Sequence, residues 1–210
     1  MTRVQLVDYD AGNMFSIHRA LMEVGADVRV VSGAEDWDPD IGHVVLPGVG
    51  AFGHGMGVLR AHGLDVALRD HAVRGRPLMG VCLGAQLLFE RSEEFGSHEG
   101  LGLLPGAVRR IPADAGRVPH VGWAPTELDR PDHPLLGGYD GRPWFYFVHS
   151  FMFEPSGPGD LLAHVRIGPS SVAAAAGRDS VVGVQFHPER SGPVGIGLLR
   201  RFLAWGGDDA

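Results

Sequence analysis

The chain has 210 residues and carries a formal net charge of −7 at neutral pH. Its 44% apolar and 20% charged residues permit a packed core, and its 32 glycines and 15 prolines follow no period, which excludes collagen-like and low-complexity chains. All 18 basic residues are arginine and the acidic residues outnumber them, so binding to nucleic-acid phosphates is disfavoured.

Apolar runs, cysteine content and histidine spacing bear on the compartment and on metal binding. No apolar run approaches the roughly 20 residues of a membrane span, and the first residues lack the apolar segment of a secretion signal. We therefore expect no membrane association and a cytoplasmic protein. The single cysteine, Cys82, excludes an internal disulfide and a cysteine-rich zinc site, and the 11 histidines show no metal-binding spacing. We expect no metal and no cofactor.

Strand and helix patterns alternate through the first half of the chain. Strand-like runs are followed by apolar residues spaced three and four apart, with short links between them. This alternation predicts an open α/β sheet, mostly parallel, with helices on both faces. In chain order the predicted elements are a strand at 3–8, a turn at 9–13, a helix through 17–24, strands at 27–31 and 43–46, a helix through 64–72, a strand at 77–81 and a helix at 85–90.

The pattern changes after residue 100, where short strand-like runs follow one another between turn residues. Such runs favour antiparallel additions to the sheet. They lie at 107–111, 144–148, 161–165, 172–175 and 181–185, and an amphipathic helix through 196–203 follows. No repeat or linker divides the sequence, so one domain over residues 1–210 is predicted.

Cys82 stands between an apolar strand and the start of a helix, in the segment Gly80-Val81-Cys82-Leu83-Gly84. This is the thiol version of the G-x-S-x-G turn, in which flanking glycines relieve crowding and the central side chain is exposed at the sheet edge. The helix N-terminus behind a cysteine favours its reactive thiolate form. A buried structural cysteine is the alternative, because most lone cysteines are of that kind.

Two further segments fit a thiol nucleophile. His187-Pro188-Glu189 follows a predicted strand, and Glu189 could hold the far nitrogen of the His187 imidazole as in a catalytic triad. The loop from Pro47 to Gly53, PGVGAFG, also follows a strand and could direct backbone N–H groups towards an oxyanion. Alone, the first is a surface histidine beside a solvated acid, and the second is an ordinary turn.

Several longer segments resemble the class I, or triad-type, glutamine amidotransferases, which have a flavodoxin-like α/β fold. They are GVCLGAQLLFE at 80–90, PGVGAF at 47–52 and GVQFHPE at 183–189. Five others are similar to one branch of that family, the glutaminase subunits of imidazole glycerol phosphate synthases: DYDAGN at 8–13, GLGLLPG at 100–106, PHVGW at 119–123, YFVHSF at 146–151 and HPERS at 187–191. These segments run in family order along nearly the whole chain.

The resemblance implies that the chain cleaves glutamine into glutamate and ammonia. Cys82 matches the family's nucleophile, His187 its base and Glu189 the residue that orients the base. The implied oxyanion donors are the backbone N–H groups of Gly48, Val49 and Leu83. The implied glutamine-binding residues are Gly50, Gln86, Glu94, His149, Ser150 and Phe151, with Glu93 as a neighbouring alternative to Glu94.

The resemblance also implies a partner. The ammonia would pass to a (β/α)8 cyclase subunit, in a heterodimer that serves histidine biosynthesis, through a face that includes Asn13, Trp123 and Arg190. Three alternatives remain open from the residues alone. They are a paralogous amidotransferase that feeds another synthase, an inactive docking protein on the same scaffold, and a cysteine peptidase on a related scaffold.

Overall fold

The computed structural model describes residues 1–9 and 14–206. The predicted interface residue Asn13 and most of the predicted turn at 9–13 lie outside this part of the chain. Among the described residues, no helix is both long and apolar enough to cross a membrane.

The described residues form thirteen strands and five α-helices. The helices are α1 (Met14–Glu23), α2 (Phe52–Ala61), α3 (Leu64–Val73), α4 (Leu83–Leu87) and α5 (Gly192–Ala204). The strands are β1 (Arg3–Val7), β2 (Asp27–Val31), β3 (His43–Leu46), β4 (Leu78–Val81), β5 (Phe89–Ser92), β6 (His98–Glu99), β7 (Leu104–Arg110), β8 (His120–Leu128), β9 (Trp144–His149), β10 (Phe151–Pro155), β11 (Leu161–Ile167), β12 (Ser170–Arg178) and β13 (Val181–Val184).

The central sheet of the described chain has nine strands in the order β2-β1-β3-β4-β13-β12-β11-β8-β9. The first five pair in parallel and the last four continue the sheet in antiparallel fashion. Four further strands form a smaller sheet in the order β10-β7-β5-β6. The predicted mixed α/β sheet with antiparallel additions is confirmed.

Helices cover both faces of the parallel part, and each face has its own apolar core. Alternate residues of β1 point to opposite sides: Leu6 packs in the core that α1 and α5 cover, whereas Val7 packs in the core beneath α2, α3 and α4. A two-faced core of this kind requires strands that are buried on both sides, and β3, β4 and β13 are buried throughout.

The position of β13 decides the geometry of the candidate site. This strand is the last of the thirteen described strands in sequence, yet it lies parallel to β4, with Val184 opposite Val81. The backbone N–H of Cys82 donates to the carbonyl of Val184 at 2.8 Å. Because the carboxyl ends of parallel neighbours meet at one edge, the segments after residues 81 and 184 emerge side by side.

Some local predictions were wrong. The helix predicted at 85–90 ends at Leu87, and Phe89 begins strand β5. The backbone N–H groups of residues 100–104 donate to the carbonyls of residues 87–90, and the Phe89 ring stacks on Phe153 with 5.0 Å between the ring centres. Tertiary pairing overrides helix propensity there. The 107–111 run lies in the smaller sheet rather than the central one. The 181–185 run pairs antiparallel with β12, as predicted, and also lies parallel to β4.

Other elements were missed. Helix α2 contains Gly53, Gly55 and Gly57, which obscure its apolar spacing. A Cβ at Gly53 would lie 2.7 Å from the His98 ring, so close packing accounts for that glycine. Strands β8 and β10 were also missed, because their burial follows only from the sheets they join.

Candidate active site

Cys82 occupies the sharp turn between β4 and α4. Its backbone has φ 55° and ψ −111°, a conformation that is uncommon for a residue with a side chain. The flanking glycines make the turn possible, since a Cβ at Gly84 would lie 1.8 Å from the Leu46 carbonyl oxygen and one at Gly80 would lie 2.7 Å from the Ala85 backbone. The predicted turn and the reason for its glycines are therefore confirmed, but the Cys82 side chain is buried rather than exposed at the sheet edge.

His187 and Glu189 follow the end of β13 and line the same cavity as the Cys82 thiol. The Nδ1–H of His187 donates to Glu189 Oε1 at 2.8 Å, and the side chains of both residues are buried. The Cys82 thiol is close enough to the imidazole to raise its pKa, and both side chains line one cavity. The sequence places Cys82 more than a hundred positions before its partners, and the adjacent parallel strands bring all three together.

Cys82 and Glu189 both affect the protonation of the His187 imidazole. Burial by itself would lower the pKa of the His187 imidazole, but Cys82 and Glu189 outweigh burial and raise that pKa to about 10. The imidazole is therefore held protonated at neutral pH. An imidazolium beside a thiol favours the thiolate, which is the nucleophilic form of cysteine.

The glycine-rich loop between β3 and α2 lies against the start of α4. The backbone N–H of Leu83 donates to the Gly48 carbonyl at 3.2 Å. An N–H that is bonded in this way is not free to bind an oxyanion. The loop also includes Gly50 at φ +112°, a conformation that glycine adopts readily.

A cavity of about 320 Å³ opens at this edge of the sheet. This volume lies at the small end of the range for ligand pockets. Most of the site residues predicted from the sequence line it, whereas Gly48 and Trp123 do not. The predicted residues in the lining are Val49, Gly50, Cys82, Leu83, Gln86, Glu94, His149, Ser150, Phe151, His187, Glu189 and Arg190.

The two candidate acids, Glu93 and Glu94, occupy different environments. Glu94 is buried, lines the cavity and accepts the Phe52 N–H at 2.7 Å, which anchors the first residue of α2. Glu93 is exposed and pairs with Arg109 at 3.2 Å. Only Glu94 of this pair reaches the cavity.

His149 and Gln86 both line the cavity and both hydrogen-bond to the backbone carbonyl of Phe151. The His149 Nδ1–H donates to the Phe151 carbonyl at 2.9 Å, and burial lowers the pKa of His149 to about 4, so its imidazole is neutral. The remaining His149 nitrogen accepts from His120 at 3.2 Å. The Gln86 amide donates to the same Phe151 carbonyl at 3.1 Å.

Two buried polar residues around the site, Gln185 and Ser191, were not predicted from the sequence. Gln185 accepts from the Gln86 amide at 2.9 Å, and its own amide lies 3.9 Å from the Cys82 sulfur. Ser191 donates to the His187 carbonyl at 2.6 Å and accepts the Tyr146 N–H at 3.0 Å, which fixes the turn after β13. The signal for Gln185 was a polar residue at the end of an otherwise apolar predicted strand, at 181–185.

An aromatic and cationic rim adjoins the cavity. Trp123 on β8 is 50% exposed and meets the Tyr146 ring edge-on at 6.0 Å. The Arg190 guanidinium lies 5.4 Å from the centre of the same Tyr146 ring. Exposure of Trp123 contradicts a purely core role for this residue. Val121, two residues earlier on β8, is 56% exposed.

The site defines a class of protein. The thiol is carried by a residue with a strained backbone at a strand-to-helix turn, next to a buried His–Glu pair and a glycine-rich loop. Such a thiol can cleave an amide through a covalent thioester. Within the described residues, no group of three or more His, Cys, Asp and Glu side chains is placed to hold a metal ion. These features describe a thiol-dependent amide hydrolase on an α/β scaffold.

Comparison with known proteins identifies the family. Residues 5–204 match the model of the family "Glutamine amidotransferase class-I". The chain is 42% identical over 205 residues to the imidazole glycerol phosphate synthase subunit HisH of Synechococcus sp. (strain JA-3-3Ab), covering 96% of this chain and 93% of that protein. It is 44% identical over 202 residues to subunit HisH of Synechococcus elongatus (strain ATCC 33912 / PCC 7942 / FACHB-805), covering 96% and 92%.

The fold agrees with this assignment. The PurLQS structure from Thermotoga maritima superposes with a TM-score of 0.77 at 20% identity, covering 97% of this chain and 98% of that one. The chain belongs to the class I glutamine amidotransferase family, as the sequence motifs predicted. It is a glutamine amidotransferase enzyme subunit.

Proposed function

We propose that this chain is the glutaminase subunit of an imidazole glycerol phosphate synthase and supplies ammonia for histidine biosynthesis. The observation that carries the chemistry is the His187–Glu189 hydrogen bond beside the Cys82 thiol, with all three residues lining one cavity. The relatives that match over nearly the full length carry the HisH name, which disfavours the alternative of a paralogous amidotransferase serving another synthase.

In the proposed reaction the Cys82 sulfur attacks the side-chain amide carbon of glutamine. The carbonyl electrons move to oxygen and form a tetrahedral oxyanion. When the C–N bond breaks, the protonated His187 gives its proton to the departing nitrogen, which leaves as ammonia. Water, deprotonated by His187, then cleaves the thioester and releases glutamate, and Glu189 keeps the imidazole oriented throughout.

Glutamine would be held by the residues that line the cavity beside the thiol. Glu94 is suited to the α-ammonium group because it is a buried carboxylate fixed by the Phe52 N–H. Gln86 and the backbone of Gly50 and of His149–Phe151 supply further polar groups to the same cavity. A small cavity lined by polar side chains at fixed positions suits a small polar amino acid.

The oxyanion site requires a change in the loop. The Leu83 N–H becomes a free donor only when the Gly48 carbonyl turns away from it. Rotation of the Gly48–Val49 peptide would do this and would bring the Val49 N–H towards the position that the carbonyl leaves. Since loss of one such donor costs about 3 kcal/mol in the transition state, the resting loop would keep hydrolysis slow.

The proposed partner is the (β/α)8 cyclase subunit, in a heterodimer. The rim of Trp123, Val121 and Arg190 combines exposed apolar surface with a cation, as the centres of protein interfaces do. Direct transfer of ammonia to the partner has a chemical advantage, because ammonia released into water at neutral pH is protonated and loses its nucleophilicity.

Synthesis of imidazole glycerol phosphate by the complex, with glutamine or with an ammonium salt, tests this function. Cys82→Ala should abolish glutamine-dependent synthesis and leave ammonium-dependent synthesis near the wild-type rate, because the cyclase is unchanged. Unaltered glutamine-dependent turnover in Cys82→Ala would refute the nucleophile. Failure of the wild-type complex to use glutamine would refute the whole function.

A binding titration tests the interface separately. Trp123→Ala should raise the Kd for the cyclase roughly 10- to 30-fold, as expected for an aromatic residue at an interface centre. Val73→Ala is the control, because Val73 is 85% exposed on α3 at a distance from the rim. Equal affinities for the two variants would exclude Trp123 from the interface.

A further inference from the structure

Tyr9 is a buried residue whose hydroxyl has no evident role. Tyr9 lies two residues after the end of β1 and is 3% exposed. Its hydroxyl oxygen has no hydrogen-bond partner among the described residues. Burying a hydroxyl without a partner is unfavourable, whereas phenylalanine would fill nearly the same volume. Packing alone therefore does not account for a tyrosine at this position.

The Tyr9 hydroxyl lies directly against the glycine-rich loop. A Cβ built at Gly48 would come within 2.0 Å of the hydroxyl oxygen and 3.2 Å from the Leu83 Cβ. The Tyr9 ring also underlies α2, at 3.3 Å from a Cβ built at Gly55. Burial, followed by the charge of the nearby Cys82, raises the pKa of Tyr9, so the hydroxyl keeps its proton and can donate it in a hydrogen bond.

The same loop contains a carbonyl that must change partners. In the resting loop the Gly48 carbonyl accepts the Leu83 N–H, and rotation of the Gly48–Val49 peptide breaks that bond. A buried carbonyl without a partner is costly, so the rotated state needs another donor. The carbonyl oxygen lies about 2.4 Å from its own Cα, which leaves it near the Tyr9 hydroxyl as the peptide turns.

We propose that Tyr9 is a positioning residue whose hydroxyl donates to the Gly48 carbonyl in the rotated loop, stabilising the state that frees the Leu83 N–H for the oxyanion. This inference rests on the proposed glutaminase function. It accounts for both the unpartnered hydroxyl and the glycine at position 48, because any side chain there would occupy the space of the hydroxyl.

Tyr9→Phe tests the proposal in the complex with the cyclase subunit. Removing one neutral hydrogen bond should lower kcat for glutamine roughly 5- to 10-fold and leave KM near the wild-type value. Alkylation of Cys82 by iodoacetamide requires the thiolate and no oxyanion donor, so its rate should stay unchanged. Tyr139→Phe is the control: its hydroxyl donates to the Val194 carbonyl at 2.7 Å, and neither residue lines the cavity.

Amide hydrogen exchange at Leu83 supplies a second measurement on the isolated chain. If the hydroxyl stabilises the rotated loop, Tyr9→Phe makes opening rarer and slows exchange of the Leu83 N–H several-fold. If Tyr9 only fills space, the variant loosens the loop and exchange becomes faster. The two roles therefore predict opposite signs.

Three outcomes would overturn the inference: an unchanged kcat in Tyr9→Phe, an equal fall in kcat and alkylation rate, or faster Leu83 exchange. The second outcome would assign the hydroxyl to the thiolate rather than to the loop. Each leaves the proposed function intact as long as the wild-type complex hydrolyses glutamine. A wild-type complex without glutaminase activity would refute that function instead.

Discussion

The Nδ1–H of His187 donates to a Glu189 carboxylate whose second oxygen, Oε2, is buried and has no partner among the described residues. Among the described residues, the imidazole of His187 is therefore the hydrogen-bond partner of this carboxylate. Its charge is weakly screened because its side chain is only 7% exposed.

Glu189→Gln should lower kcat for glutamine at least roughly 100-fold, because the imidazolium loses the charge that orients and stabilises it. Since Glu189 helps to raise the pKa of His187, its loss lowers that pKa, and the imidazole beside the sulfur is less often protonated. Iodoacetamide should then react more slowly at neutral pH. Glu93→Gln, an exposed acid paired with Arg109, is the control, and equal kcat values for both variants would contradict the triad.

Gln185→Leu should raise KM for glutamine roughly 5- to 30-fold and change kcat less, because Gln86 loses the acceptor that orients its amide. Gln5→Leu removes another fully buried amide, on β1, that accepts the Asp38 N–H. Steady-state kinetics should show a normal KM for that control. A normal KM for Gln185→Leu would mean that Gln86 needs no such support.

Gly84→Ala should prevent formation of the nucleophile turn, because its methyl group would lie 1.8 Å from the Leu46 carbonyl oxygen. We expect a loss of several kcal/mol, on the order of the largest point-mutation effects. Gly57→Ala in α2 meets nothing within 4 Å and should stabilise the chain by about 0.5–1 kcal/mol. Urea unfolding of both variants checks this contrast, and similar midpoints would contradict it.

Acid should destabilise the chain through its buried histidines. Burial lowers the pKa of His71 to about 4, against an ordinary value of 6.5. Between these two pH values the unfolded chain binds a proton at His71 and the native chain does not. The free energy of unfolding therefore falls as the pH drops from about 6.5 towards 4. This shift corresponds to about 3 kcal/mol at the acid end.

Comparing His71→Gln with the wild type in urea unfolding from pH 7 to pH 4 measures that contribution. The glutamine amide can still donate to the Pro77 carbonyl, which His71 Nε2 contacts at 3.1 Å. The variant should lose less stability on acidification, whereas His62→Gln at an exposed position should follow the wild type. Parallel curves for all three proteins would refute the assignment.

The sequence by itself determined the α/β class, the family and the candidate residues. Local chemistry explains this success. The turn at Cys82 requires glycines at particular positions, and its neighbours at 80 and 84 stand where any Cβ would clash. Alternating strand and helix patterns reflect burial on a regular period, which a single sequence displays.

Only the tertiary structure decided which strands are neighbours. Insertion of β13 beside β4 brings His187 to Cys82, and sequence spacing contains no information on strand order. The resting bond between Leu83 and Gly48, the burial of Glu94 rather than Glu93, and the unpartnered hydroxyl of Tyr9 likewise emerged from packing. Each depends on contacts between segments distant in the chain, and such contacts form only when the whole sheet assembles.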